Sequence, residues 1–231
     1  MLKKITKKKL SLKNTINKNE LYSFTKGIEI LKKINPAKFN ETVEISINLK
    51  LNPKKRDYSI KGFSLLPYNS GKILRVAVFT SENEIDAAKN ADIIINKEKI
   101  NEIKDNKINF DILITTPNSI TKMGNLSKTL GPKGLMPNIK FGTITNNISD
   151  TINSIKTNYI KFKSEKNNII HCIIGKINNN TKELKENIET IINDIKKNKP
   201  SNCKSMTIEK LFVSTTMGPG IKINLNSINI K

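Results

Sequence analysis

The chain has 231 residues, enough for one large or two modest domains, each with its own core. A net charge of +21 calls for a polyanionic partner, nucleic acid or an anionic membrane surface. No apolar run reaches the roughly 18 residues of a membrane span, and Cys172 and Cys203 are too few and too far apart for a metal knuckle or a disulfide framework, which fits a reducing compartment. Part of the charge has another source. Lys, Asn and Ile dominate and only Arg56 and Arg75 are arginines, so A/T-rich coding also pushes the surface toward lysine.

Residues 1–19 are lysine-rich and read as a basic arm without the apolar core of a signal peptide. A transit peptide would favour Arg and Ser, so the cytosol is expected. Leu21, Phe24, Ile28 and Leu31 recur at helical spacing and predict an amphipathic helix over 20–34, stopped before Pro36. Val43, Ile45, Ile47, Leu49 and Leu51 alternate with Glu44, Ser46, Asn48 and Lys50, a half-buried strand. A turn over Pro53–Asp57 and a strand over 59–66 follow.

The pattern changes at Pro67–Gly71. Ile73–Phe79 is continuously apolar, as in a strand covered on both faces. Helices over 82–90, 97–104, 117–129 and 148–157 then alternate with strands at Asp92–Ile95 and Phe110–Thr115, the pattern of parallel strands with right-handed crossovers. Gly124–Gly142, rich in Gly, Pro and Lys, is expected to form a shaped loop with a positive rim, either an ordinary connection or a functional one. Strands at 159–162 and 169–174, a helix over 181–198 ended by Pro200, and strands at 206–214 and 221–226 complete the chain. The fold class is an α+β domain, discontinuous over 1–66 plus 159–231, with an α/β domain inserted at 67–158.

Catalysis has little to stand on. His171 is the only histidine, so no zinc cluster is possible, and its apolar setting suits a structural role. The Gly131–Gly134 loop invites comparison with phosphate-binding loops but lacks their Gly-Lys-[Ser/Thr] ending. No cofactor, metal or catalytic residue is expected. Ser214–Gly220 offers hydroxyls, a thioether and glycines for close approach of RNA, or simply ends a strand and turns the chain.

Leu130-Gly-Pro-Lys-Gly-Leu-Met-Pro137, with Ser214-Thr-Thr-Met-Gly-Pro-Gly220 and Ala37-Lys-Phe-Asn-Glu-Thr-Val-Glu44, resembles the family of the first large-subunit ribosomal protein, found in the mobile stalk beside the tRNA exit site. The three segments keep that family's order and spacing, and the resemblance spans nearly the whole chain. It implies that the discontinuous domain, antiparallel-rich, holds large-subunit ribosomal RNA and that the inserted domain is a Rossmann-like three-layer unit. Matching contact positions are Lys38, Phe39, Thr42, Lys163, Glu165, His171, Thr215, Thr216, Met217 and Gly218. Lys133 and Lys140 are candidate RNA or tRNA contacts. Phe39 also fits a core position. Lys163 stands where relatives commonly have Arg, and Asn167-Asn168 replaces a glycine-containing turn.

The resemblance further implies assistance in releasing deacylated tRNA from the exit site and repression of the protein's own mRNA. The partners would be these RNAs, with no membrane and no small-molecule substrate, for a monomer off the ribosome. The ribosome would be cytoplasmic, an organellar one being the alternative. Two rivals are a nucleotide- or phosphate-binding enzyme using Gly131–Gly134, and a nonspecific polyanion binder relying on lysine alone.

Overall fold

Alternating side chains put one face of strand β1 (Thr42–Leu51) into a core. Val43, Ile45, Ile47 and Leu49 are buried there, while Glu44, Ser46 and Asn48 are exposed or half-buried. The structure is a computed structural model describing residues 16–17, 20–35, 37–51, 60–80, 88–95, 109–165, 167–199 and 206–228. It mixes helices and sheets and divides into two compact units: Met1–Ile60, Leu66–Gly71 and Phe162–Lys231 form the first, Lys61–Leu65 and Lys72–Lys161 the second.

In the first unit β1 lies between β7 (Ile169–Lys176) and β8 (Met206–Thr215), with β9 (Ile221–Ile223) beyond β8, every pairing antiparallel. Helix α1 (Phe24–Ile34) packs on β8 and β9, and helix α5 (Thr181–Lys197) on β7. Phe24, Ile28 and Leu31 are buried at helical spacing, each worth about 1.5–3 kcal/mol relative to exposure. Ser23 caps α1 by accepting from the Lys26 amide. Glu183 accepts from the Asn180 amide at 3.3 Å and fixes the start of α5. Its buried stripe is Leu184, Ile188, Ile191, Ile192 and Ile195.

The second unit holds a parallel sheet in the order β4 (Ile93–Ile95), β3 (Val76–Phe79), β5 (Ile112–Thr115). All four residues of β3 and of β5 are buried, as expected for strands covered on both sides. One cluster sets Val76, Val78, Ile112 and Ile114 against Ile148, Ile152 and Ile155 of helix α4 (Ile148–Asn158). A second sets Ala77, Phe79 and Leu113 against Met123, Leu126 and Leu130. β2 (Lys61–Leu65) pairs with β6 (Tyr159–Lys163), where the Phe63 and Tyr159 rings stack at 5.6 Å.

Several sequence expectations are corrected. Leu21 precedes α1 and is 56% exposed, because the Ser23 cap starts the helix after it. Ile73 is 92% exposed and β3 begins at Val76. There the Asp111 and Asp92 carboxylates accept the Arg75 and Val76 amides, so the apolar run enters the sheet only partway along. The expected helix over 117–129 breaks into α2 (Pro117–Ile120), a 3₁₀ segment (Thr121–Leu126) and α3 (Ser127–Leu130). The last strand stops at Ile223, since Asn224 turns its side chain onto the Asn226 amide and starts a 3₁₀ turn. The basic arm through Thr15, the turn over Pro53–Asp57, the helix over 97–104 and most of that over 82–90 lie outside the described residues, as do Pro36, Pro200 and Cys203.

Candidate nucleic-acid interface

The half-exposed face of the four-stranded sheet gathers residues distant in sequence. Thr42, Glu44, Ser46 and Asn48 point to it from β1, and the register sets His171 and Phe212 opposite Ser46, Ser214 opposite Glu44, and Lys176 opposite Thr42. Thr42 and Ser46 are about 13 Å apart along the strand. Most of these side chains are polar or basic, suiting a polar, anionic partner.

Thr42 is the junction at one end. Its amide donates to Thr216 Oγ1 at 3.2 Å, and its carbonyl accepts the Thr216 amide at 3.1 Å. Lys176 Nζ donates to Thr42 Oγ1 at 2.9 Å. Lys38 and Phe39 just before Thr42, and Met217 just after Thr216, are exposed, Phe39 at 55% and Met217 at 58%. Large apolar groups held in water beside threonine hydroxyls are suited to stacking on bases and riboses. The core alternative for Phe39 therefore fails.

Thr215 is not brought to this surface. It stands opposite Val43, so its side chain turns to the core face and is only 4% exposed, with no hydrogen-bond partner on Oγ1 among the described residues. Its carbonyl accepts the Gly218 amide at 3.1 Å. A Cβ at Gly218 would overlap the Thr215 hydroxyl and meet Leu31, so the turn after Met217 requires glycine by close approach. Thr215 thus shapes the loop from beneath.

Glu165 and His171 form a second group, with Oε1 and Nε2 4.0 Å apart and both side chains more than half exposed. The turn between β6 and β7 places Asn168 at φ 59°, the left-handed conformation that asparagine tolerates. Lys163 is exposed at the end of β6. His171 is thus a surface residue, unlike its neighbour Cys172, whose thiol burial pushes up to about 12 and closes to thiolate chemistry.

Lys133 and Lys140 lie in the second unit, both exposed. The glycine loop beside them is not an open cradle. The Gly131 amide donates to the Ser127 carbonyl, Gly134 to Gly131 and Leu135 to Leu130, all within 3.1 Å. A phosphate-binding loop would need such amides free.

Surface hydroxyls beside exposed Phe39 and Met217 suit the binding of a polar partner. A profile of the ribosomal protein L1p/L10e family matches residues 31–219. The chain belongs to that family. The large ribosomal subunit protein uL1 of Coxiella burnetii (strain Dugway 5J108-111) is 39% identical over 230 residues, covering 99% of both chains. The protein of that name from Legionella pneumophila (strain Corby) is 39% identical over 231 residues, covering 99% of this chain and all of its own. As a member of the L1p/L10e family the chain is a ribosomal protein of the large subunit and not an enzyme, which removes the nucleotide-binding rival.

Sequence reasoning did not single out Lys176 or Ser46 for this face. Lys176 faces outward beside Thr42 only because β7 carries an irregularity opposite Val43 and Glu44, which shifts the alternation by one residue. The local signal for that shift is Gly175, an isolated glycine within the strand. Ser46 was readable as an outward position of an alternating strand, once its pairing was known.

Proposed function

We propose that the chain binds a structured segment of large-subunit ribosomal RNA through the half-exposed sheet face of its first unit. The supporting observation is the Thr42–Thr216 pair flanked by exposed Phe39 and Met217. Lysines supply salt-dependent attraction to phosphates, while the threonine hydroxyls and the glycine turn at Gly218 fit ribose hydroxyls and close backbone approach. Lys38, Lys163, Glu165 and His171 extend the contact, and Thr215 supports it from within. In this reading residues 1–66 and 159–231 act as one discontinuous RNA-binding domain, and 67–158 as an inserted Rossmann-like three-layer domain.

The same reading makes the chain part of the mobile stalk of the ribosome, assisting release of deacylated tRNA from the exit site. Lys133 and Lys140 are then electrostatic contacts of the inserted domain with RNA or tRNA. A similar fold in the protein's own mRNA would allow it to repress its translation. The protein would work ribosome-bound in the cytoplasm.

A competition titration tests the site. A stalk-region ribosomal RNA fragment competes against a duplex RNA of equal length, with Phe39→Ala and Met217→Ala alongside. Both side chains are more than half exposed, so neither variant should unfold the chain. The expected result is a preference of ~10³-fold or more for the fragment, with each variant losing ~1–3 kcal/mol of fragment binding and little of duplex binding. Equal binding to both RNAs with silent variants would favour the polyanion rival.

A further inference from the structure

We infer that Lys176 and Thr42 form a clamp for one backbone phosphate of the bound RNA, an inference that rests on the RNA-binding reading of this sheet face. The two residues are 134 apart in sequence and directly opposite in the β1–β7 register. An ammonium has donors only, so Thr42 Oγ1 accepts from Lys176 Nζ at 2.9 Å and spends a lone pair on it. The Thr42 hydroxyl proton is then directed elsewhere. The Thr42 carbonyl is occupied, since it takes the Thr216 amide at 3.1 Å. What faces outward is a positive charge and an O–H donor side by side. Non-bridging phosphate oxygens, negatively charged and acceptors only, match that pair better than the neutral acceptors of a base edge.

Lys176 is held in place before any ligand arrives. Its stem lies on Gly71, where an added Cβ would come within 2.7 Å of Cγ and 3.0 Å of Cε. Gly71 itself has φ +73°, so both space and backbone conformation favour glycine beneath this lysine. The side chain is half-buried and its rotamer is set, so less entropy is lost on binding than for a lysine free in water. Glu44, two residues along the same face, forms no ion pair with it among the described residues. The charge is therefore available to an external anion.

The test uses the full chain and the stalk-region fragment at several salt concentrations. The variants are Lys176→Met, Lys176→Arg and Lys182→Met, the last an exposed lysine of α5 that controls for net charge. Lys176→Met should weaken fragment binding and reduce the slope of log K against log salt by about 0.7–0.9, one phosphate contact. Lys176→Arg should restore most of that slope, and Lys182→Met should leave it unchanged. A wild-type slope in Lys176→Met overturns the clamp, as does a loss that Arg fails to restore in a variant folded by circular dichroism. The salt slope reports the clamp and the fragment-over-duplex preference reports the site, so the two readings fail separately.

Discussion

Asn187 shows how one polar residue organises its surroundings. It sits fully buried on α5 within an apolar stripe, where an unpaired amide would cost several kcal/mol. Its side chain is fully used: Oδ1 accepts the Tyr68 amide at 3.1 Å, and Nδ2 donates to the Tyr68 and Ile174 carbonyls at 3.2 and 2.8 Å. The Leu66–Gly71 segment is thereby pinned to α5 and β7 within the first unit. Asn187→Leu keeps the branched outline and strips three backbone groups of their partner, so unfolding free energy should fall by about 2–3 kcal/mol in a denaturant titration. An unchanged midpoint would mean that water or a shifted backbone satisfies those groups. The buried Glu41 carboxylate and Thr215 hydroxyl, by contrast, have no such partners among the described residues.

Among elements, α4 is held to its sheet by charge as well as by Ile148, Ile152 and Ile155. Lys156 Nζ lies 2.7 Å from Asp92 Oδ1, while Asp92 Oδ2 accepts the Val76 amide at 2.8 Å where β3 begins. The hydrogen bond from Lys156, and then that from Val76, holds the Asp92 carboxyl below its ordinary value. A carboxylate with a depressed folded pKa contributes stability above its unfolded pKa and loses it as the pH falls through the folded one. Asp92→Asn should therefore lower Tm at neutral pH, and its deficit from wild type should shrink on acidification below the usual aspartate range. A deficit independent of pH would assign the effect to packing. The broken helix over 117–130 follows a similar logic of competing partners. Thr121 and Ser127 turn their hydroxyls onto the carbonyls three residues back, while Met123, Leu126 and Leu130 are drawn into the core with Phe79 and Leu113. Core packing and local side-chain bonds prevail over a continuous helix.

For the whole molecule the net charge of +21 makes affinity for any RNA unavoidable, and specificity must be built on top of it. Duplex RNA binding should accordingly weaken by ~10³–10⁵ between 50 and 200 mM salt if about 6–10 phosphates are engaged, measured by titration, with the fragment preference surviving the change. A shallow slope would contradict a lysine-driven background. The alternation of Val43 to Leu49, the spacing of Phe24, Ile28 and Leu31, and the stripe of α5 are local patterns, so the chain by itself determined these elements and their order. Three short segments likewise sufficed to reveal the family. The tertiary structure alone decided which of two adjacent threonines faces outward, because that parity depends on pairing Thr215 with Val43 across the sheet. It also decided that Ile73 points to water, and that Lys176 lies 2.9 Å from Thr42. Periodicity is set between neighbours along the chain, whereas register arises between strands more than a hundred residues apart, which alternation along either strand does not record.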